Sequence, residues 1–446
     1  MRRRLRLVVS FLLLVALLLS IFATTTMADR RRRDRRRPAT RPVESAVWSQ
    51  WRGPNRDGKS LETGLLASWS DGKPPLVWQA KDLGKGFSSV SIANGKVYTA
   101  GVRDGNSHII ALSEADGSEL WATPIGEDSD VNGTPTVDHG KVYSIGFNGA
   151  MLCADAETGR ALWRKDFATD FKGKMMSQWG FSESPLIDGN LLICTPGGNE
   201  AVMVALNKHT GRPVWRTELP NVGENGKDGA GYSSVVISNA AGRKQYVQLT
   251  GRGVVGVDAR NGKLLWAYNR IANGVANIPT PIVSGDYVFC STGYGTGAAL
   301  LKIVRDGRSL KAEEVYFLEA GQMQNHHGGM ILLDGHIFFG HGHNKGFPRC
   351  IHMETGEVKW EDRGPGKQSA AIAYADGHLY FRYENGVMAL IEANADEYRL
   401  KGTFEIDSRH AQSWPHPVVA GGRLYLRDQH ELHCYNIRAK GPSDSK

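Results

Sequence analysis

A glycine that is followed four residues later by a tryptophan recurs five times, and it constrains the fold more than any other feature of the sequence. A turn that requires a positive φ and leads into a strand produces this spacing, because glycine adopts that conformation without steric cost. The repeat therefore predicts that each tryptophan occupies the same place on the second strand of a hairpin. The five pairs are Gly117/Trp121, Gly159/Trp163, Gly211/Trp215, Gly262/Trp266 and Gly356/Trp360.

The spacing of the aromatic position gives the length of the repeat. Trp78, the five tryptophans, Phe317 and Phe404 follow one another at intervals of 42 to 52 residues, which is about the length of one four-stranded propeller blade. Upstream of each aromatic residue, runs such as GKVYTAG at 95–101 alternate apolar with polar or small residues, which is the period of a strand. With no amphipathic helix apparent after the first 28 residues, the pattern predicts an all-β protein.

The two ends of the repeat region complement each other. The last repeat, at 412–438, has three strand-like runs and no tryptophan strand, whereas residues 76–81 form a tryptophan strand without a blade of its own. Pairing these ends would leave no open sheet edge. We therefore predict an eight-bladed β-propeller of four-stranded antiparallel blades with tryptophan-docking motifs, closed by an N-terminal strand.

The N-terminal region is predicted to contain an export signal. Four arginines precede an apolar run over residues 7–23, and small residues flank a cleavage site after Ala28. An uncleaved anchor is the alternative, because the run is at the lower length limit for spanning a bilayer. The predicted organisation is a signal peptide at 1–28, a basic disordered linker at 29–46, an N-terminal strap at 47–74, the propeller at 75–438 and a disordered tail at 439–446.

The strap is rich in glycine, proline and other turn residues, so we expect it to lie across the propeller without forming a strand. On that basis Trp48 of the strap should contribute much less to stability than Trp215 of a blade.

The basic composition belongs to the N-terminal tail. Residues 1–42 carry a net charge of +10 and the whole chain carries +8, so the remaining residues net −2. Such a body lacks the electrostatic attraction that nucleic-acid binding requires. We therefore predict no nucleic-acid partner. The protein is further predicted to be a monomer of the periplasm or cell envelope, with a body that is not embedded in the membrane.

The five cysteines are predicted to be free. Cys153 and Cys350 each lie six residues before the turn glycine, where other repeats have Ala111, Ala205 or Gly256. A position occupied by such small residues is a packed site in which cysteine acts as a small hydrophobe. Since no two cysteines fall at neighbouring positions of adjacent repeats, and a disulfide needs Cα atoms within about 7 Å, we predict no disulfides.

Residues that enter the innermost strand of each blade should line the central axis, where propellers bind ligands. This predicted funnel is unusually polar, and its candidate ligand-binding residues are Gln178, Trp179, Glu183, Asn277, Asn325, His326, His327, Trp414 and His416.

Nine of the 14 histidines lie between His326 and His416. A His-x-His pair on a strand directs both rings to one face, and imidazole suits zinc, copper or iron. Alternatively, these rings hydrogen-bond turn carbonyls, an interpretation favoured because no carboxylate motif accompanies them. The candidate metal ligands are His326, His327, His341 and His343.

The repeated segments ADAETGRALW, ALNKHTGRPVW, GVDARNGKLLW and CIHMETGEVKW resemble the pyrroloquinoline-quinone-type (PQQ-like) propeller repeat over residues 75–438. The strap sequence WSQWRGPNRDG and the segments WGFSESPL and NHHGGM resemble envelope propellers of planctomycete-type bacteria, which are mostly of unassigned activity. In the family the tryptophan packs between neighbouring blades. The resemblance implies that docking role for Trp121, Trp163, Trp215, Trp266 and Trp360.

The resemblance also implies a test for redox chemistry. Dehydrogenases of the family hold the quinone between a tryptophan and a vicinal Cys-Cys disulfide, with a calcium ion bound by Glu, Asn and Asp, and an Asp base. This chain has no Cys-Cys pair, and its funnel segments are poor in the Arg and Lys that a tricarboxylate would need. No catalytic residue is assigned, and hydrolase and kinase motifs are absent.

We therefore expect a binding or scaffold module at the cell envelope, acting through its central funnel face on a small polar ligand or an envelope protein. One alternative is a quinoprotein-like alcohol or sugar dehydrogenase that uses PQQ with calcium. Another is a propeller similar to outer-membrane assembly factors, which normally carry a lipid anchor, although no cysteine lies near the expected cleavage site.

Overall fold

The structure is a computed structural model that describes residues 48–70, 72–408, 410 and 412–439. The predicted signal peptide and linker, and all of the predicted tail except residue 439, lie outside the described residues. Within them the chain forms 32 strands in eight antiparallel sheets of four strands each. The predicted eight-bladed, all-β propeller is confirmed.

In blades 1 to 4 the strands follow one another along the chain from the axis outward. Their bounds are β2 Ser91–Ala93, β3 Lys96–Arg103, β4 Asn106–Ser113 and β5 Glu119–Glu127; β6 Thr136–Asp138, β7 Lys141–Ile145, β8 Ala150–Asp155 and β9 Ala161–Asp166; β10 Leu186–Asp188, β11 Leu191–Cys194, β12 Met203–Asn207 and β13 Pro213–Thr217; β14 Val236–Ser238, β15 Gln245–Thr250, β16 Gly253–Asp258 and β17 Leu264–Tyr268.

Blades 5 to 7 repeat this order, and blade 8 is completed by β1, the first strand of the described residues. Their bounds are β18 Ile282–Ser284, β19 Tyr287–Thr292, β20 Gly297–Asp306 and β21 Ser309–Glu319; β22 Met330–Leu333, β23 His336–His341, β24 Phe347–His352 and β25 Val358–Glu361; β26 Ala370–Ala375, β27 His378–Tyr383, β28 Val387–Glu392 and β29 Leu400–Glu405; β30 Val418–Ala420, β31 Arg423–Asp428, β32 Glu431–Asn436 and β1 Leu76–Ala80.

The ring closes as predicted. Strand β1 pairs antiparallel with β32, with Trp78 opposite Cys434 and Ala80 opposite Leu432. The strand nearest the N-terminus thus covers the outer edge of the last blade, which would otherwise expose unpaired backbone groups.

One α-helix, α1 (Phe167–Phe171), and one 3-10 turn, Ala240–Gly242, occur in the described part of the chain. The carboxylate of Asp166 caps α1 by accepting a hydrogen bond from the N–H of Thr169. Among the described residues, no helix is long and apolar enough to cross a membrane.

The turn glycines are required for two reasons. Their φ values lie between +69° and +75° in all five repeats, a conformation that side chains with a Cβ rarely adopt. In addition, a Cβ atom on Gly117, Gly159, Gly211 or Gly262 would approach the tryptophan ring of the preceding blade to within 2.5–2.9 Å. Each of these four rings therefore lies directly on the glycine turn of the next blade.

The tryptophan contacts vary around the ring. The indole N–H groups of Trp163 and Trp360 donate to the backbone carbonyls of Lys208 and Asn394 in the following blades, at 3.0 and 2.8 Å. Trp121 and Trp215 lie on the glycine turns of the next blades without such a hydrogen bond among the described residues.

Trp266 differs, because its indole N–H donates to the Gln245 side chain of its own blade. The following blade has Glu313 where other repeats have the turn glycine. Trp266 nevertheless belongs to the same core cluster as Leu301 and Ile303 of that blade.

The five cysteines are free and buried. Burial raises the pKa of the Cys153 thiol to about 12 and that of Cys434 to about 11. We expect five thiols to react in denaturant without prior reduction, and far fewer to react in the native protein, because the thiolate is the reactive species. Titration with a chromogenic thiol reagent measures both values, and three or fewer thiols in denaturant would contradict the assignment.

Candidate ligand site in the central channel

A series of hydrogen bonds from backbone N–H groups to side-chain hydroxyls links blades 1 to 5 around the axis. The backbone N–H of Ser89 donates to the Thr134 hydroxyl at 3.1 Å, and the N–H of Thr134 donates to the Ser184 hydroxyl at 2.9 Å. The N–H of Ser184 then donates to the Ser234 hydroxyl at 3.0 Å, and that of Ser234 to the Thr280 hydroxyl at 3.1 Å. We call these five residues the hydroxyl belt. The belt satisfies buried N–H groups that lie just before the innermost strands and have no partner in their own sheet.

Removing one belt hydroxyl should therefore destabilise the protein. We expect Thr280→Val to lower the free energy of unfolding by about 1–3 kcal/mol, because the buried N–H of Ser234 loses its acceptor. Thr280→Ser keeps the hydroxyl and should cost clearly less. Urea unfolding of both variants measures the difference. A loss in Thr280→Val that is no larger than the loss in Thr280→Ser would mean that the hydrogen bond contributes no more to stability than the methyl group does.

A central cavity of about 440 Å³ lies against the belt, within the range of about 300–1,000 Å³ that is usual for small-molecule sites. Most of its lining comes from residues that lead into the innermost strands of several blades. It is lined by Phe87, Ser89, Asp130, Asn132, Thr134, Phe147, Trp179, Ser182, Tyr232, Ser234, Ala276, Ile278, Pro279, Thr280, Tyr294, His326, His327, Gly329, Gln412, Trp414, Pro415, His416 and Trp51 of the strap.

A second, side cavity of about 670 Å³ shares part of this wall. The shared residues are His326, His327, Gln412 and Trp414. The residues that belong to the side cavity alone are His343, Asn344, Gln368, Glu384, Asn385, Gly386, Ser408, His410 and Asp428.

The Trp414 indole lies between the two cavities with both faces covered. The Phe87 ring stacks on it with ring centroids 4.4 Å apart, and the His327 ring stacks on it at the same centroid distance. Phe87 and His327 are not themselves in ring contact, so they lie on opposite faces of the indole. Trp414 can therefore offer a ligand only its edge.

The Trp179 indole, in contrast, is open to a ligand. It is 38% exposed, and Tyr232 meets it edge-on at a centroid distance of 6.1 Å. The Trp179 N–H donates to the Tyr232 hydroxyl at 3.3 Å, and its carbonyl accepts from the Asn132 amide at 2.8 Å. These contacts fix the backbone, so the ring is presented as a platform at the edge of the central cavity.

Three histidine rings cluster on the opposite side of Trp414 from Phe87. The rings of His326 and His327 lie 3.5 Å apart between centroids, and those of His326 and His343 lie 4.1 Å apart. Both nitrogens of His326 are already paired, one with the Ser369 hydroxyl at 2.8 Å and the other with the Tyr294 hydroxyl at 3.1 Å.

The three histidines that line the central cavity, His326, His327 and His416, are held neutral. Burial, with a smaller contribution from the neighbouring His343, lowers the pKa of His326 to about 3. Burial likewise lowers the pKa of His327 well below its usual value and that of His416 to about 3. His416 is anchored by a hydrogen bond between its Nε2 and the His327 carbonyl at 3.1 Å.

Of the nine funnel residues expected from the sequence, five line the central cavity: Trp179, His326, His327, Trp414 and His416. Gln178 is exposed and is not among the residues that line it. The remaining three, Glu183, Asn277 and Asn325, are buried beside the channel and are bound to the protein itself.

The Glu183 carboxylate accepts hydrogen bonds from the Thr195 N–H at 2.6 Å and the Thr195 hydroxyl at 3.0 Å. Burial raises its pKa to about 8. The Asn277 amide donates to the Thr250 carbonyl at 2.9 Å, and the Asn325 amide donates to the Gly340 carbonyl at 3.0 Å. All three side chains are therefore structural in this arrangement.

Three of the four candidate metal ligands line a cavity, and the fourth is buried in the protein. His326 and His327 line both cavities and His343 lines the side cavity. His341 is instead buried on β23, where its Nδ1 accepts from the Gln324 N–H at 3.4 Å, and burial lowers its pKa to about 4. Within the described part of the chain, no three or more His, Cys, Asp or Glu side chains are grouped so as to hold a metal ion.

The strap contributes Trp51 to the wall of the central cavity. The guanidinium groups of Arg52 and Arg56 lie over its ring, 5.5 and 5.8 Å from the ring centroid. Arg56 donates to the carbonyls of Ser184 and Pro185 at 2.7 and 3.2 Å, and Arg52 donates to the Met330 carbonyl. Both cations are thus committed to the backbone outside the cavity.

The residues described around the cavities do not fit the quinone cofactor. Its three carboxylates would need cationic partners, and the described lining contains no Lys or Arg. The carboxylates that are present, Asp130, Glu384 and Asp428, would repel it, and Asp130 is already paired with Lys85 at 2.7 Å. Arg409 lies outside the described residues.

Comparisons with known proteins agree with the fold. The family model described as outer membrane protein assembly factor BamB, named PQQ_2, matches residues 62–149 and 105–362. BamB of Kangiella koreensis is 26% identical over 214 residues, which cover 47% of this chain and 47% of that protein. BamB of Burkholderia pseudomallei is 28% identical over 120 residues, covering 25% of this chain and 28% of that protein. The alignments thus span about half the length of these curated relatives or less.

Two solved structures extend the likeness to nearly the whole propeller. BamB from Moraxella catarrhalis superposes with a TM-score of 0.59 at 14% identity, covering 82% of this chain and 100% of its own. Quinohemoprotein alcohol dehydrogenase from Comamonas testosteroni superposes with a TM-score of 0.61 at 12% identity, covering 89% of this chain and 81% of its own. At such identities the structures support the shared fold alone, whereas the family model matches more than half of the sequence. The chain belongs to the PQQ-like repeat propeller family, the family whose model carries the description outer membrane protein assembly factor BamB.

Proposed function

We propose that this protein is an exported binding module of the cell envelope whose central cavity takes a small, uncharged polar ligand. The observation that carries the proposal is the composition of the cavity wall. Hydroxyl groups lie on one part of it, an open tryptophan ring lies at its edge, and the histidines are held neutral. A concave site of this kind, mostly apolar with a few fixed polar groups, is typical of small-molecule recognition.

The location is supported by sequence rather than by the cavity. The arginine-led apolar run at residues 7–23 is typical of an export signal, and the relatives described as outer membrane assembly factors act at the envelope. Fractionation of cells that express the full-length gene should place the protein with the periplasm or membranes, and a cytoplasmic location would contradict the proposal.

The binding role can be tested with an extract of small molecules from the envelope of the native host. Native mass spectrometry of the full chain after incubation should show a small-molecule adduct. Ile278→Trp should abolish the adduct, because Ile278 lines the cavity and the larger ring would fill it. Val214→Trp, at a position 54% exposed on strand β13, is the matched control and should retain it. No adduct, or an adduct that survives Ile278→Trp, would overturn the proposal.

A second candidate function is participation in outer-membrane protein assembly, which the family-model match over residues 62–149 and 105–362 favours. It predicts that loss of the gene lowers the amount of outer-membrane proteins and that Ile278→Trp restores them as well as the wild-type chain does. Dye reduction that requires added quinone and calcium would instead support the dehydrogenase alternative.

A further inference from the structure

We infer that the ligand of the central cavity is a neutral polyhydroxylated ring, which is the chemistry of an uncharged saccharide. This inference rests on the proposed binding function and deepens it. It follows from three properties of the cavity wall: hydroxyl groups that can still donate a hydrogen bond, an open aromatic face and the charge of the lining.

The hydroxyl belt supplies polar groups that can still bond. Thr134, Ser234 and Thr280 line the cavity, and each accepts a backbone N–H. Among the described residues, none of the three is recorded as donating its own O–H. Thr134 and Ser234 also keep a second lone pair, whereas Thr280 accepts from the Ser233 hydroxyl as well, at 3.4 Å. Groups that can both donate and accept match ligand hydroxyls, which have the same two needs.

The Trp179 platform supplies the apolar counterpart. Its ring is fixed through the Trp179 backbone and is open to the cavity region, while the faces of Trp414 are already covered. A saccharide ring has one face of C–H groups, which buries apolar surface against an indole, and a rim of hydroxyls, which remains available for the belt.

Charge and polarity exclude the obvious competitors. An anionic ligand would meet the Asp130 carboxylate and neutral histidines in the central cavity, whose described lining contains no Lys or Arg. A cationic ligand would compete with Lys85 for Asp130, the carboxylate of the central cavity. A flat aromatic ligand could cover Trp179 but would leave the O–H donors of the belt desolvated and without an acceptor, which costs free energy for each group.

Isothermal titration calorimetry of the full chain tests the inference with glucose, galactose, N-acetylglucosamine and maltose as neutral probes. Glucuronate serves as the charged counterpart. We expect at least one neutral sugar to bind, and glucuronate to bind at least tenfold more weakly than glucose. Trp179→Ala should weaken sugar binding at least tenfold, and Trp179→Phe should restore most of it because it keeps a ring. Val214→Ala, on the outer strand β13, should bind as the wild type does.

The outcomes separate the inference from the proposed function. The saccharide assignment would be overturned if none of the four sugars gave heat on binding. It would also be overturned if glucuronate bound as tightly as glucose, or if Trp179→Ala bound sugar as tightly as the wild type does. If the envelope extract still yields an adduct that Ile278→Trp removes, the binding function stands with a different ligand class. Melting temperatures of the variants check folding, and Trp179, being partly exposed, is not expected to be needed for it.

Discussion

Replacing Trp48 by alanine is expected to lower the free energy of unfolding by about 3–5 kcal/mol, the usual cost of deleting a buried aromatic ring. Trp48 is 2% exposed although it belongs to the irregular strap. Its ring packs in one core cluster with Trp78, Val90 and Ile92, so it fills space between blades 8 and 1. Its backbone also pairs with Ile92 in both directions, at 3.1 and 2.8 Å.

Urea unfolding monitored by far-ultraviolet circular dichroism measures this loss. Leu61→Ala is the matched control, because Leu61 is an apolar residue of the same strap that is 89% exposed, and it should change stability by less than about 0.5 kcal/mol. Trp215→Ala should lose about as much as Trp48→Ala, since Trp215 is 8% exposed. If Trp48→Ala unfolds at the same urea concentration as the wild type, the strap does not belong to the core.

The sequence-based expectation for Trp48 is wrong for an instructive reason. A segment rich in Gly, Pro and Asn predicts irregular backbone correctly, but irregular backbone does not imply a peripheral position. The strap binds around the axis through its backbone and arginines instead of through a sheet ladder. Arg52 and Arg56 reach carbonyls of blades 6 and 3, contacts that no local pattern encodes.

The propeller itself could be predicted because its signals are local and repeated. Each glycine turn determines where a strand begins, and the four-residue step determines where the tryptophan lies. Closure by β1 followed from counting strands at the two ends of the repeat region. These arguments need no knowledge of contacts between residues that are far apart in the sequence.

The site could be predicted only in part. The innermost strands are short, and residues a few positions apart at their entrances can face the axis or the protein interior. His327 and His416 therefore line the cavity, whereas Glu183 and Asn277 are bound within the wall. The covering of Trp414 could not be predicted, because Phe87 leads into blade 1 and His327 into blade 6, both far from Trp414 in the sequence.

The hydroxyl belt was missed although a signal exists. Ser89, Thr134, Ser184, Ser234 and Thr280 recur at intervals of 45 to 50 residues. Ser and Thr are common residues, however, and these positions do not belong to a run in which apolar and polar residues alternate. The recurrence can therefore be interpreted only once the blades are arranged around one axis.

Lowering the pH from 7 to 5 is expected to destabilise the protein, and the effect should come from buried neutral histidines. His326, His341 and His416 are each more than nine-tenths buried, and burial lowers their pKa values to about 3, 4 and 3. The unfolded chain binds a proton at each of them as the pH falls through about 6.5, whereas the folded protein does not. Their contribution to stability is therefore lost progressively below that pH, by about 2 kcal/mol per histidine at pH 5.

Glu183 acts in the opposite direction. Burial raises its pKa from 4.5 to about 8, so between these values the folded protein holds a proton that the unfolded chain has released. Its contribution is therefore lost as the pH rises, which makes stability fall between pH 7 and pH 8. At pH 5 these three histidines alone outweigh Glu183 by about two protons, which corresponds to a slope of about 2.7 kcal/mol per pH unit. Burial also lowers the pKa values of His327 and His433, which act in the same direction.

Urea unfolding at intervals between pH 5 and pH 8 should show a maximum near pH 7 with the steeper loss on the acid side. Glu183→Gln should flatten the alkaline side, because the group that releases a proton on unfolding is gone. His341→Gln should reduce the acid slope by about one proton, and the same change at His209, which is exposed, controls for the loss of an imidazole. His341 is the appropriate target because it is buried yet is not among the residues that line either cavity, so ligand binding does not enter the measurement. A flat profile from pH 7 to pH 5 would mean that the histidines can take up protons in the folded protein and that the cavity wall is not neutral.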